Sequence, residues 1–97
     1  MKNINVVASI TLKEEESENV FEALKALHSA THREDKGCLQ YDLHKDHDKA
    51  NTYVFIETWE SEALLDEHMK KAHFQAFQVA LEGKVKRMSI QKLEKIL

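Results

Sequence analysis

The sequence contains no proline, only two glycines and a single cysteine among its 97 residues. It has no glycine-rich nucleotide-binding loop, no cysteine pair and no His-Glu-x-x-His helix, so we expect no standard cofactor. The lone Cys38 excludes an intrachain disulfide and suits a reducing compartment. No apolar run approaches the ~20 residues of a membrane span, and the first residues lack a signal-peptide pattern. These absences predict a cytoplasmic protein without a membrane segment.

An excess of charge of one sign is also missing. The formal net charge is −3 with the two signs mixed along the chain. The sequence therefore offers no basic surface for nucleic acid. The densest positive run, called the basic cluster below, consists of Lys84, Lys86 and Arg87. Short runs of this kind usually face water, so we interpret the basic cluster as a solvated patch rather than a phosphate site.

What the sequence does contain is alternating and helical hydrophobic patterning typical of one small domain over residues 1–97. Apolar and polar residues alternate in four segments, which predicts strands over 4–12, 38–45, 53–59 and 85–96. In the second of these segments the alternation places Leu39, Tyr41 and Leu43 on the same face of the strand.

Helical spacing fills the chain between these strands. Ser17 is predicted to cap the first helix and Ser61 the second, and a shorter helix then ends at Gly83. The order is strand, helix, strand, strand, helix, short helix, strand. This order predicts an α+β fold of the ferredoxin-like type, a split β-α-β antiparallel sheet with its helices on one face.

The third strand carries large apolar side chains on both faces. Val54 and Ile56 line one face, and Tyr53, Phe55 and Trp59 line the other. An antiparallel sheet in a lone monomer usually leaves one face to water. We therefore predict a homodimer in which a second copy covers the face without helices.

Four histidines lie outside the stretch from residue 53 to residue 77, which is the richest in chemical groups. His28 and His32 are four residues apart on the first helix, a spacing that could hold a metal, but no third ligand lies near them in sequence. His44 and His47 lie beside the hairpin loop without a metal-binding spacing. We predict that all four are solvated and that the chain holds no metal, and the pattern leaves their roles open.

The stretch from residue 53 to residue 77 offers the parts of a small apolar pocket with a proton-transfer group. Trp59 and Phe77 could form stacking walls, Glu57 supplies a carboxylate, and His68 and His73 supply imidazoles, the side chain suited to proton transfer near neutral pH. The plainer interpretation is structural: a core Trp59, a hydrogen-bonded His68, and a Glu57 that anchors a neighbouring group.

His68 is the predicted catalytic base, because the leucines three and four residues earlier place it beside the apolar face of its helix. Tyr41 or Tyr53 could hydrogen-bond a substrate oxygen, although Tyr41 could equally be a core residue. On a continuous helix His68 and His73 would lie ~140° apart, so they meet only if the chain bends near Ala72.

Three short elements, in this order and spacing, resemble the antibiotic biosynthesis monooxygenase (ABM) family, and within it the small quinol monooxygenase-like proteins. The resemblance extends over nearly the whole chain. The elements are Gly-Cys-x-x-Tyr at Gly37, Cys38 and Tyr41, Glu-x-Trp-x-Ser at Glu57, Trp59 and Ser61, and His-x4-His-Phe at His68, His73 and Phe74.

The resemblance implies a ferredoxin-like homodimer of the dimeric α/β-barrel type, with a pocket between sheet and helices. It also implies oxidation of a small aromatic, quinol-like substrate by O₂ without metal or flavin. In haem-degrading relatives an Asn, a Trp and an axial His occupy the positions that align with Ala8, His68 and Gln78. None of the three is kept in this sequence, so haem is disfavoured. Two alternatives stay open: an isomerase or proton-transfer enzyme on a small carbonyl compound whose phosphate the basic cluster would hold, and a non-catalytic dimeric binding protein.

Overall fold

The computed structural model describes residues 3–97, which form a four-stranded sheet and three helices. The strands pair antiparallel throughout, in the order β2-β3-β1-β4. This arrangement confirms the predicted ferredoxin-like α+β fold. In chain order the elements are β1 (Ile4–Leu12), α1 (Ser17–Glu34), β2 (Cys38–Lys45), β3 (Thr52–Trp59), α2 (Glu62–Lys70), α3 (Ala72–Leu81) and β4 (Val85–Leu93).

One face of the sheet, called the helix face below, packs against the helices and holds the core. The alternation in β1 is confirmed, because Val6, Ala8, Ile10 and Leu12 are all buried. The opposite face, called the open face, carries the residues that alternate with the buried ones along each strand. Ile56 belongs to this face and is 37% exposed.

Helix α1 buries the stripe that its spacing predicts, since Val20, Leu24 and Leu27 are at most 2% exposed. The prediction that Ser17 caps this helix is wrong. A 3-10 turn over Glu14–Glu16 precedes the helix, and Ser17 is its first residue. Ser61 does cap α2, because its Oγ accepts a hydrogen bond from the backbone N–H of Leu64 at 3.2 Å.

A β-bulge near the start of β2 breaks the predicted alternation. Cys38 lies opposite Trp59 and Gln40 lies opposite Thr58, so Leu39 is an extra residue in this strand. Leu39 is consequently 54% exposed and does not share the buried face of Tyr41. The prediction that Leu39 shares a face of the strand with Tyr41 is therefore wrong.

The edge strand β4 ends at Leu93 rather than at residue 96 as predicted. Its residues Met88 and Ile90 pair with Ile10 and Ala8 and therefore belong to the helix face. They are nevertheless 45% and 50% exposed. The helices therefore leave the β4 edge of this face partly uncovered.

Gly37 is the glycine whose replacement should cost most stability. Its φ is +82°, and an added Cβ would lie 2.4 Å from Leu64 Cδ1. Gly83 has a similar φ of +73° but open space around it. We expect Gly83→Ala to lower the free energy of unfolding by about 1–2 kcal/mol for the left-handed backbone alone. Gly37→Ala should lose a further ~1–3 kcal/mol through overpacking against Leu64.

Urea unfolding of the two variants measures this difference directly. Equal losses in the two variants would show that α2 and the turn at Gly37 are not in close contact.

Candidate active site

A small cavity of about 40 Å³ lies between the helix face and the helices. That space is enough for one or a few water molecules. Its wall is mostly aliphatic and aromatic, and the polar side chains in it are those of Tyr41, Glu57, His68 and Lys92. The apolar lining comprises Val6, Ala8, Ile10, Leu27, Phe55, Leu65, Met69, Phe74, Phe77, Met88 and Ile90.

A break between α2 and α3 orients the two histidines of the site. Helix α2 ends at Lys70, Lys71 is extended with ψ 152°, and α3 begins at Ala72. The bend near Ala72 that a meeting of His68 and His73 requires is therefore present. It brings the imidazoles of His68 and His73 to within 6.1 Å of each other, measured between ring centroids.

Both imidazoles meet the carboxylate of Asp35, which directly follows α1. Asp35 Oδ2 is the partner of His68 Nδ1, and His73 Nε2 lies 3.0 Å from Oδ1 and 3.1 Å from Oδ2. The Asp35 and His68 side chains are only 1% and 2% exposed. Since a carboxylate only accepts, both rings donate to it, and the lone pair of neutral His68 is on Nε2.

Burial is the largest influence on His68 and lowers its pKa below the usual value, while the neighbouring Asp35 acts in the opposite direction. A lowered pKa keeps the ring neutral at pH 7, so that Nε2 can accept a proton. Sequence reasoning missed Asp35 altogether. The signal available for it was its position between the end of a helix and Gly37, which is weak by itself.

Aromatic rings surround His68 on several sides. The ring centroids of Trp59, Phe74 and Tyr41 lie 4.7, 5.1 and 5.4 Å from that of His68. Trp59 is fully buried behind the imidazole, and its Nε1 donates to Glu57 Oε1 at 2.9 Å. Packing by these rings fixes the orientation of His68 toward the cavity.

Glu57 is a buried carboxyl group in the cavity wall, 5% exposed. Burial raises its pKa to about 7, and the hydrogen bond from Trp59 only partly offsets this. Near neutral pH the group is therefore partly protonated and can either donate or accept a hydrogen bond.

The raised pKa of Glu57 predicts a pH-dependent stability difference. The folded state holds this proton more tightly than the unfolded state, so the stabilising contribution is complete below pH 4.5 and is lost as the pH rises through 7. Glu57→Gln cannot ionise and keeps an oxygen for Trp59. At pH 8 we expect the free energy of unfolding of Glu57→Gln to exceed that of the wild type by up to about 3 kcal/mol.

The wild type and Glu57→Gln should be equally stable near pH 4.5. Denaturant unfolding between pH 4.5 and pH 8 measures both values. A stability difference that stays constant with pH would contradict the burial of an ionisable Glu57.

The predicted site residues divide into two groups. His68, Tyr41, Glu57 and Phe77 line the cavity. Three others do not: Trp59 lies behind His68, His73 binds Asp35, and Tyr53 borders a separate surface groove, where its ring centroid is 5.8 Å from that of Phe21. The basic cluster is also absent from the cavity wall.

Cys38 is half-buried beside the site, and burial raises its pKa to about 11. Nearby Asp35 acts in the same direction. The thiol is therefore protonated at neutral pH and poorly suited to act as a nucleophile.

Two groups of side chains among residues 3–97 have the composition and spacing to hold a metal ion. The first is Asp35, His68 and His73, where a metal would have to replace both hydrogen bonds to the carboxylate. The second is a separate group on α1 and β2, described below.

None of the helices in the described part of the chain is long and apolar enough to cross a membrane.

Residues 3–80 match the model of the family described as antibiotic biosynthesis monooxygenase, and the chain belongs to that family. Membership supports a general monooxygenase-like function and confirms the resemblance drawn from the three sequence elements.

The chain is also similar to particular proteins. The chain is 38% identical over 72 residues to YcnE of Bacillus subtilis (strain 168), whose name classes it provisionally as a monooxygenase; the match covers 72% of this chain and 73% of YcnE. It is 31% identical over 74 residues to sll1783 of Synechocystis, covering 76% of this chain but only 50% of that relative. The crystal structure of PA3566 from Pseudomonas aeruginosa superposes with a TM-score of 0.91 at 30% identity, covering 100% of this chain and 97% of that one.

Proposed function

We propose that this protein is a cofactor-independent monooxygenase that oxidises a small aromatic, quinol-like substrate with O₂ in the reducing cytoplasm. One observation carries the proposal: His68 is held by the buried carboxylate of Asp35 in the wall of a small apolar cavity. A positioned, neutral imidazole facing an apolar cavity is suited to remove a proton from a phenolic hydroxyl group.

In the proposed reaction His68 Nε2 takes the proton of one substrate hydroxyl. The resulting anion is a far better electron donor to O₂ than the neutral phenol. One oxygen atom is then added to the ring, and the other leaves as water with two hydrogens from the substrate. The substrate becomes a hydroxyquinone and supplies all the electrons, so no external reductant is needed.

Two further cavity residues have roles in this proposal. Glu57, with its pKa of about 7, can either donate a hydrogen bond to the second substrate oxygen or accept one from it. Tyr41 is buried in the wall beside it, and burial raises its pKa, so its hydroxyl stays protonated and can donate. Phe77 supplies a flat apolar wall for the substrate ring.

Substrate entry requires side chains to move, because a cavity of about 40 Å³ is smaller than an aromatic ring. The adaptable residues lie at the β4 edge and on α2, where Met88 is 45% exposed and Met69 is partly buried. Methionine side chains rotate easily and pack against varied shapes. We propose that the substrate displaces these two side chains and enters from the β4 side.

We also propose that the protein is a homodimer joined through the open face of the sheet. Support comes from Val7, Val54 and Ile56 on that face, where Val7 of β1 pairs with Ile56 of β3 and Val54 lies two residues before Ile56. Ile56 remains 37% exposed in the single chain. A second copy would remove these apolar side chains from water.

Sedimentation analysis of the native protein is expected to give twice the chain mass, and Ile56→Lys should shift the mass toward that of one chain. Val79→Lys provides the matched control, because Val79 is 65% exposed on α3, on the other side of the sheet. A native mass of one chain would contradict the dimer.

Oxygen uptake tests the proposed activity. Metal-depleted protein should consume O₂ with at least one member of a panel of substituted hydroquinones, faster than the same hydroquinone alone. Turnover of a small carbonyl compound in strictly anaerobic buffer would instead support the isomerase alternative. Failure of every hydroquinone both to react and to bind by calorimetry would favour a non-catalytic binding protein.

A further inference from the structure

We infer that His28, His32 and Asp42 form a second, separate site that binds a divalent transition metal, with Zn²⁺ as the cation that suits it. Sequence reasoning discounted the two histidines for want of a third ligand, and the fold supplies one. His28 and His32 lie one turn apart on α1, with ring centroids 4.4 Å apart. Asp42 of β2 completes the group, and one ligand atom from each residue lies within 4.8 Å of the other two.

A backbone carbonyl holds one ring nitrogen of His32 and leaves the other for a cation. Its Nε2 lies 2.7 Å from the backbone oxygen of Tyr41. Since a carbonyl oxygen only accepts, Nε2 carries the hydrogen and the lone pair of the neutral ring is on Nδ1. A ring nitrogen that donates to a backbone carbonyl while the other binds metal is the usual arrangement of metal-binding histidines.

The carboxylate of Asp42 is also oriented by a neighbour. Gln40 Nε2 donates to Asp42 Oδ2 at 2.9 Å, which leaves Oδ1 for a cation. Lys25 borders the same surface depression as His28 and Asp42, but its ammonium lies 3.5 Å from Glu22 Oε2, which offsets its charge.

Two imidazole nitrogens and one carboxylate oxygen form a ligand set that Zn²⁺ accepts, with water in the remaining position. Sites of this composition favour Zn²⁺, Cu²⁺ and Ni²⁺ over Mg²⁺ or Ca²⁺, which prefer oxygen ligands alone. Binding would join α1 to the edge strand β2 and stabilise the folded state, because the unfolded chain lacks the site. The metal site does not depend on the proposed oxygenase activity.

Calorimetric titration of the full chain with Zn²⁺ tests the site. We expect one high-affinity Zn²⁺ per chain and a rise in Tm on binding. His28→Asn and Asp42→Asn should each weaken binding by at least ~10-fold, since loss of even an outer partner typically costs 10–100-fold. His44→Asn is the matched control, because His44 is an exposed histidine on the same strand as Asp42, and it should bind Zn²⁺ as wild type does.

A His68→Asn variant distinguishes this site from the group at Asp35. Unchanged Zn²⁺ affinity in His68→Asn supports the inference. Zn²⁺ affinity lost in His68→Asn but kept in His28→Asn and Asp42→Asn would overturn it, as would a wild-type protein that binds no Zn²⁺. As a second measurement, Co²⁺ should broaden the NMR signals of residues around His28 and Asp42, and broadening confined to residues around His73 would overturn the inference.

Discussion

Replacing His68 with asparagine is expected to lower kcat/KM for a hydroquinone substrate by about 10²–10⁴-fold, the usual contribution of a general base. The asparagine amide can still donate to Asp35 from the position of Nδ1, so the contact that orients this part of α2 is kept. What is lost is Nε2, the group that accepts the substrate proton. The effect should therefore fall on the rate and not on folding.

The pH dependence gives a second test of the same assignment. Activity of the wild type should rise with pH through a midpoint below 6.5, because burial lowers the pKa of His68 and its neutral form is the base. His68→Asn should lack this acid limb. His73→Gln is the matched control, since glutamine can still donate to Asp35 from the position of Nε2 and His73 is outside the cavity wall. Equal activity in His68→Asn and wild type would remove His68 from the mechanism.

Asp35→Asn should lower kcat/KM almost as far, by about 10²–10³-fold, although Asp35 is a positioning residue and does not line the cavity. In serine proteases the equivalent replacement costs about 10⁴ because the histidine adopts the wrong tautomer. Here the amide that replaces the carboxylate would offer a donor as well as an acceptor to His68 Nδ1, so the lone pair could move from Nε2 to Nδ1.

A purely structural role for Asp35 would not change the titration of His68. Because the carboxylate raises the pKa of His68 against the effect of burial, its removal should move the acid limb of the rate profile to lower pH. The double variant with His68→Asn should be no slower than His68→Asn alone, since both changes disable one unit. Asp66→Asn, an exposed carboxylate on α2, is the control. An acid limb that stays in place in Asp35→Asn would contradict the positioning role.

Much of the fold follows from local patterns in the sequence. Alternation in β1 and helical spacing in α1 identify their buried faces, because a single period fits the whole element. The pattern fails where an extra residue enters. The bulge at Leu39 inverts the expected face of that residue, and it arises from pairing between β2 and β3 that no local period records.

The candidate site was predictable in part. The position of His68 beside the apolar face of α2 predicts that it lies in the site, and the sequence permits the bend near Ala72 without requiring it. Asp35 could not be found this way, because it is 33 residues from His68 in sequence and meets it only through the packing of α1 against the other helices. The same limit applies to Asp42, which lies beside His28 and His32 only because β2 runs next to α1.

Turnover under ¹⁸O₂ tests the central claim most directly. The protein should first be treated with a chelator and freed of flavin, and the hydroxyquinone product should then be analysed by mass spectrometry at short times, before exchange with water. The proposed mechanism predicts one ¹⁸O atom in each product molecule and the other in water, with incorporation reduced in His68→Asn. Product formed with no ¹⁸O, or O₂ consumed only to hydrogen peroxide, would contradict it.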